Sequence, residues 1–345
     1  MNSYFDIYSN RNVMVIAEIG VNHDGSFQKA KELVYRAKEC GADVVKFQLF
    51  TAAKLSHVFT PKVEYQKKTD KHESHFGMLK SLEFDQEKHA KIQEYCKELE
   101  ISFTTTAYDV SDVEFLTSIN VPFIKIASAD IVDLPLIAKV AESRLPVIVS
   151  TGMATINEIA NSVKVLNSNT SDFCLLHCTS EYPTISRHVN MEKISHISTL
   201  SGGIFGYSDH TLGGTAALIA MARGARVVEK HFTLNKLDSG PDHLASADPL
   251  EFKLYVDNIR EAQFMFGSDD FLRTKEEDNM ANTSRKSIYL SRNMLKDELI
   301  SVGDLYLSRP GTGLNGQYIE VVCNKKVVKD LPSGHALSLK DLSND

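Results

Sequence analysis

Short apolar runs alternate along the chain with longer stretches whose apolar positions recur every three or four residues. The runs fall at 13–20 (VMVIAEIG), 43–50, 101–107, 123–128, 147–152, 173–180, 204–210 and 227–233. They are nearly continuous in Val, Ile, Phe and Ala, which predicts strands covered on both faces. The intervening stretches 27–40, 86–99, 110–118, 134–143, 156–167, 215–223 and 249–266 have helical spacing. In the first of them Ala30, Leu33, Val34 and Ala37 form one stripe, and Gly41 stands where a helix stop wants a left-handed residue. Eight strands with helical stretches after seven of them, over about 260 residues, predict an α/β fold, a (β/α)8 TIM barrel. No GxGxxG follows the first run, so an open dinucleotide-binding sheet is the poorer reading.

Three stretches depart from this beat. Residues 51–82, rich in Lys, His, Glu and Tyr, predict an irregular insertion after the second strand, on the side where barrel enzymes carry lids. Residues 267–284 are polar and poor in large apolar side chains, which predicts a linker behind a catalytic barrel of residues 1–266. Residues 285–345 resume short β-like runs and predict a small C-terminal module. About 60 residues form only a marginal core alone, so docking on a barrel, another subunit's included, would help it.

Composition narrows the class. The net charge of −7 and the pI near 6.0, with no basic block, argue against a nucleic-acid or membrane-surface binder. Five scattered cysteines without CxxC pairs predict reduced thiols. There is no basic start followed by an apolar segment and no run of about 18 apolar residues, so a soluble cytoplasmic protein is expected.

The chemistry sits at the strand ends. Strand parity puts Glu229 and His231 on one face with Lys230 on the other, and Ser208 and His210 on one face beside Asp209. Two histidines on neighbouring strands, each with a carboxylate close by, could hold a divalent cation with open positions for substrate. Either histidine alone reads more simply as a core imidazole with one hydrogen-bond partner. Yet all eight strand ends are polar, contributing Glu18, Lys46 and Gln48, Thr104 to Thr106, Lys125 and Ser128, Ser150 and Thr151, and His177, Thr179 and Ser180 besides those named. Lysines at 46 and 125 have no packing reason to stand in strands of Val, Ile and Phe, because an unpaired buried ammonium is very costly. A single lysine could snorkel at the rim or pair with Glu18. Two lysines with several hydroxyls and strand-end amides are what a phosphate monoester needs. The residues therefore read as a barrel enzyme with a phosphate pocket beside a two-histidine metal site.

The motifs AEIGVNHDGS (17–26), GADVVKFQ (41–48), FIKIAS (123–128), STGM (150–153), LLHCTSEYPT (175–184), GYSDHTLG (206–213), EKHFTL (229–234) and SGPDHLAS (239–246) come in one order over nearly the whole chain. Together they resemble the N-acetylneuraminate (sialic acid) synthases and their legionaminic and pseudaminic acid relatives. RPGTG at 309–313 is similar to the signature of that family's antifreeze-like (SAF, β-clip) domain. The resemblance implies condensation of phosphoenolpyruvate with the open-chain aldehyde of an N-acetylated amino sugar of the mannosamine type, releasing phosphate. It implies that His210 and His231 ligate a divalent metal, Mn2+ foremost, with Mg2+ or Co2+ as alternatives. Lys46, Thr105, Lys125, Ser128, Ser150 and Ser208 are then expected to hold phosphoenolpyruvate. Gln48, Asp130, Tyr182 and Asp242 are expected on the sugar, with Arg309 reaching it from the C-terminal domain of a swapped homodimer, and Glu18 is expected to manage a proton.

Two segments depart from the family pattern. TTTAYD at 104–109 stands where relatives have an STPF-like turn and reads one residue longer, so the contact falls on Thr104 or Thr105. KIASAD at 125–130 replaces KIGSGE, and Asp130 is a methylene shorter than the Glu in its place. N-acetylmannosamine, its 6-phosphate and a 2,4-diacetamido-trideoxyhexose all remain open. So does a metal-dependent pyruvate aldolase; a silent sugar-binding protein is disfavoured by two histidines and two lysines retained together. His177 reads as a core or supporting histidine, Asn22 and His23 as shaping the first turn, and His243 as either loop polarity or a substrate contact. Cys178, with no base shown beside it, is not expected to be a nucleophile.

Overall fold

The structure is a computed structural model that describes residues 4–5, 12–63, 66, 69–169 and 172–343. The chain divides into two compact units, residues 1–267 and 268–345. In the first, eight parallel strands close into a barrel in sequence order: β1 (Met14–Gly20), β2 (Val44–Leu49), β3 (Ser102–Ala107), β4 (Ile124–Ile126), β5 (Val147–Ser150), β6 (Phe173–Cys178), β7 (Phe205–Asp209) and β8 (Val227–His231). Each lies within the apolar run that predicts it.

Alternation along the strands separates two cores. Met14, Ile16, Val44, Phe123, Ile148, Cys174, Leu176 and Val227 fill the barrel interior with Phe5. Val15, Ala17, Ile19, Val45, Phe47 and Leu49 face outward and pack under the helices. Continuing the inner rows toward the strand ends brings up Glu18, Lys46, Thr106, Lys125, Ser150, Cys178, Ser208, Glu229 and His231. Register fixes their neighbours: Glu18 pairs with Lys46 on one side and His231 on the other, Thr106 with Lys125, and Ser208 with Glu229. The barrel is tight at Gly206, where a Cβ would lie 2.2 Å from the Val227 carbonyl oxygen and 2.6 Å from Leu176 Cδ2.

The surrounding helices start where polar caps stand. Ser26, Asp85, Asp109, Asp133, Thr155 and Asp248 each accept a first-turn N–H, opening Phe27–Glu39, Gln86–Glu98, Val110–Ser118, Leu134–Glu142, Ile156–Ser168 and Pro249–Met265. A further helix, Ile194–Ser201, has no counterpart in the periodicity reading; its Ser-rich sequence is a weak helix former, and burial of Ile194 and Ile197 supports it.

The insertion is more ordered than expected. Residues 64–65 and 67–68 lie outside the described residues. The remainder carries the helices Ala52–Leu55 and His75–Leu82. Met78, Leu79 and Leu82 join Val21, Phe50 and Ala52 in a cluster separate from the barrel core. Lys62 is buried against Asp70 at 2.6 Å and also donates to the His72 carbonyl.

The second unit has its own core of Ile288, Leu290, Met294, Ile300, Val322, Val327, Leu331, Leu337 and Leu342. Its antiparallel pair is β9 (Ser287–Leu290) and β10 (Leu305–Ser308). Two Ser-x-x-Asp capping boxes recur in it, at Ser301/Asp304 and Ser338/Asp341. Part of the expected linker is helical: Lys275–Ser284 begins with a Thr274/Glu277 capping box and three acidic residues in its first turn. No helix among the described residues is long and apolar enough to cross a membrane.

Candidate active site

A cavity of about 690 Å3 opens at the C-terminal ends of the barrel strands. Its charged floor comes from β1, β2, β4 and β8. Lys46 Nζ lies 2.7 Å from Glu18 Oε2 and 3.7 Å from Glu229 Oε1, and donates to Thr106 Oγ1 at 3.0 Å. Lys125 Nζ donates to Ser150 Oγ at 2.6 Å and lies 3.9 Å from Glu229 Oε1. Gln48 Nε2 donates to Glu18 Oε1 at 3.0 Å. Two ammonium groups thus share two carboxylates, all four side chains being buried, where charge interactions are weakly screened.

The electrostatics follow from that sharing. Burial pushes Glu18 up to about 7, outweighing the opposing pull of Lys46. Burial also works to raise Glu229, but Lys125 and Lys46 carry it below the usual carboxylate range. Burial lowers Lys125, whereas the two carboxylates overcome burial at Lys46 and raise it.

The histidines converge beside this floor. Their ring centroids are 5.5 Å apart, and Tyr182 stacks on His210 at 4.1 Å while meeting His231 edge-on at 5.7 Å. His210 Nδ1 lies 2.8 Å from the Thr179 carbonyl, an arrangement that makes Nδ1 the donor and leaves Nε2 as a lone pair. His231 Nδ1 is buried without a hydrogen-bond partner, 3.8 Å from Asp242 Oδ2. Ser180 Oγ and Glu229 Oε2 are likewise buried without partners on residues lining the cavity. Buried polar atoms left open in one place mark a ligand site. The two imidazoles with free ring nitrogens fit a divalent cation. Cys178 Sγ lies 3.8 Å from His210 Nδ1; burial opposes charge on both groups, but their mutual attraction lowers the thiol and raises the imidazole.

Most residues expected at the site line this cavity: Glu18, Lys46, Gln48, Lys125, Ser128, Ser150, Tyr182, Ser208, His210, His231 and Asp242. Thr105 and Asp130 are not among the lining residues. Thr105 is fully buried opposite Phe47 on the outward row of β3, and Thr106, one residue on, lines the cavity and holds Lys46. Strand alternation turns residue 105 away from the cavity, and Thr104, whose hydroxyl donates to the Phe123 carbonyl, is not among the lining residues. The turn after β4 lines the cavity through Ala127, Ser128 and Ala129, and Asp130 is not part of the wall; burial pushes its carboxyl up to about 6. Arg309 stands exposed in the second unit, after β10.

Asp209 is also not the carboxylate beside the histidines. It accepts from Thr211 and lies 3.3 Å from Lys230, which donates to the Thr211 carbonyl on the outward face. Asp242 takes its place near His231. The insertion also lines the cavity, through Thr60, Pro61, Val63, Gln66, His75, Met78, Leu79 and Leu82, none of which the sequence reading assigned to the site.

Neighbouring histidines are structural. His177 pairs with the Val189 carbonyl at 2.8 Å. His23 packs among Phe47 and Phe84, and burial holds it down to about 3. His243 bridges Thr233 Oγ1 at 2.7 Å and Asp24 Oδ1 at 3.0 Å, tying the loop that carries Asp242 to the first turn. Asn22 ties the same loop through the Phe232 carbonyl and Ser246 Oγ. Asp24, Asp238 and His243 could group around a cation, but Lys29 Nζ already lies 2.5 Å from Asp24 and 2.6 Å from Asp238.

The model of the NeuB family matches residues 33–270. The chain is 40% identical over 335 residues to the N,N'-diacetyllegionaminic acid synthase of Legionella pneumophila, covering 95% of this chain and 94% of that one. It is 38% identical over 264 residues to the human N-acetylneuraminate-9-phosphate synthase, covering 74% and 71% of the two chains. Among solved structures, the sialic acid synthetase of Leptospira borgpetersenii superposes with a TM-score of 0.69 at 30% identity, over 78% of this chain and 90% of that one.

Proposed function

Because the chain belongs to the NeuB family, we propose that it joins phosphoenolpyruvate to the open-chain aldehyde of an N-acetylated hexose, giving a nonulosonic acid and inorganic phosphate. The observation that carries the reading is the pair of buried lysines, Lys46 and Lys125, in one cavity with His210 and His231. The reading spans N-acetylmannosamine, the N-acetylneuraminate route, and the 2,4-diacetamido-2,4,6-trideoxyhexoses of the legionaminic and pseudaminic routes.

In this mechanism Lys46 and Lys125 take the phosphate, with Thr106, Ser150 and Ser208 as neutral donors to its oxygens. C3 of the enol attacks the aldehyde carbon, forming the new C–C bond, and the aldehyde oxygen takes up a proton. Water adds at C2, and Glu18, held near neutrality, accepts the water's proton at a carboxylate oxygen. The C2 bond to the phosphate oxygen then breaks as the added hydroxyl becomes the C2 carbonyl, and its proton goes to the departing phosphate. His210 and His231 would hold a divalent metal, Mn2+ foremost, which when bound supplies Lewis-acid polarisation of the carbonyl. Tyr182 and Asp242, next to the histidines, orient the sugar.

Purified protein, given phosphoenolpyruvate and an N-acetylated hexose, should release phosphate only when both are present, and chelation should stop it. Release without sugar, or condensation with pyruvate in place of phosphoenolpyruvate, overturns the reading; the second result would favour the aldolase. The same reading carries a homodimer in which Arg309 serves the sugar end. A monomeric solution mass, or an unchanged sugar KM in Arg309→Ala, overturns that part.

A further inference from the structure

The fold does not hold the two cavity histidines in the same way. His231 is the last residue of β8, and Glu18 of β1 stands opposite it in register. His210 lies one residue past the end of β7, where the β7–β8 ladder has stopped; the last pair of that ladder is Asp209 with Lys230. Each member of that pair immediately precedes one of the histidines, and alternation turns both away from the side the histidines face. Neither lines the cavity, yet Asp209 and Lys230 are only 1% and 4% exposed.

Beyond the ladder, side chains replace the missing backbone bonds. Lys230 Nζ lies 3.3 Å from Asp209 Oδ2 and donates to the Thr211 carbonyl at 2.7 Å. Asp209 Oδ1 accepts from the Thr211 N–H at 2.9 Å and from the Thr211 hydroxyl at 2.7 Å. The residues on either side of His210 are therefore both fastened to the residue that precedes His231. On the other side, the His210 carbonyl accepts from the Thr184 N–H at 2.8 Å. Tyr255, from the helix Pro249–Met265, covers the pair from outside, with its ring centroid 5.1 Å from Lys230 Nζ.

A buried ion pair is a poor way to gain stability, because desolvating two charges offsets most of their attraction and a well-packed apolar pair does as well. What such a pair can do is fix geometry. A cation shared by two imidazoles needs each ligating nitrogen within roughly 2 Å, so a small slip of the turn after β7 against β8 spoils the site. Groups that hold metal ligands from behind control affinity for this reason.

Resting on the two-histidine metal site of the synthase reading above, we propose that Lys230 and Asp209 are positioning residues, a brace on the outer face of β7 and β8 that sets the spacing of His210 and His231. Lys46 and Lys125 stand on β2 and β4, outside the brace, so phosphoenolpyruvate does not depend on it.

The test measures Mn2+ binding to the substrate-free protein by calorimetry, together with the KM for phosphoenolpyruvate and the urea midpoint. Lys230→Met alone leaves a buried carboxylate without its ion-pair partner and loosens the fold as well. The deciding variant is therefore Lys230→Met with Asp209→Asn, which removes both charges and keeps an oxygen acceptor for Thr211. It should keep a urea midpoint near that of the parent, bind Mn2+ more weakly by roughly 10- to 100-fold, and retain the parent KM for phosphoenolpyruvate. Unchanged Mn2+ affinity in the folded double variant overturns the brace and leaves the metal site standing. Equal weakening of Mn2+ and phosphoenolpyruvate, or outright unfolding, assigns the pair to general stability and overturns it too. A parent protein that binds no Mn2+, or binds it no better than His231→Ala does, overturns the metal site itself.

Discussion

At the scale of single residues, the site is a set of inward positions whose identity parity decides. Thr105 and Thr106 differ by one step along β3 and by the side of the barrel they serve. Thr106→Val should raise the KM for phosphoenolpyruvate several-fold, whereas Thr105→Val should leave it unchanged; steady-state kinetics on the pair decides. Lys125→Ala should weaken phosphoenolpyruvate more than the sugar, and among the described residues it leaves Lys46 as the lysine beside Glu229. Removing one partner of a buried ion pair costs on the order of 3–5 kcal/mol, so urea unfolding should accompany the kinetics. His231→Ala should abolish turnover in metal-replete buffer, and near-normal activity there removes His231 from the metal site. These residues were legible from sequence because period-two counting needs only one anchored position. The slip at 105 came from anchoring β3 on a turn that reads one residue longer than its relatives.

At the scale of elements, two features govern the cavity. The loop after β8 is tied down by His243 to Thr233 and Asp24, and by Asn22 to Ser246. It brings Asp242 to within 3.8 Å of His231. His243→Ala should therefore raise the sugar KM and leave that for phosphoenolpyruvate, and His243→Asn should restore part of the loss through one retained hydrogen bond. Equal effects on both substrates would mean general loosening. The second feature is the close packing of β7 on β8 at Gly206, where any Cβ meets backbone as well as side chain. Gly206→Ala should destabilise the barrel by roughly 3 kcal/mol, measured as a shift in urea midpoint. Neither tie could be seen in the sequence, since His243 and Asp24 are 219 residues apart. The order within the insertion was hidden for a related reason: its polar composition concealed Met78, Leu79 and Leu82, whose burial depends on Val21 and Phe50 from elsewhere in the chain.

At the scale of the whole molecule, acid should unfold the protein early. His89 is fully buried among Phe47, Phe84 and Phe103, and burial holds it down to about 4, while an unfolded histidine titrates near 6.5. Between those values the unfolded chain binds more protons, so stability rises with pH across the window. The contribution, of order 3 kcal/mol, is complete above about 6.5 and lost as pH falls toward 4. His23, held down to about 3, adds in the same direction. His89→Asn should be less stable at pH 7 but show a flatter loss between pH 7 and 4.5; an equal slope in denaturant melts at the two pH values would dismiss this source of acid lability. The sequence by itself determined the eight-strand order, the strand ends as the chemical end and the charged residues of the cavity floor, because these follow from local periodicity and from the cost of burying a lysine unpaired. Only the tertiary structure decided which carboxylate stands by His231, how the two lysines divide two glutamates, and which side chains of the insertion line the cavity. Those outcomes depend on side chains brought together from distant strands and loops, and no local pattern carries that information.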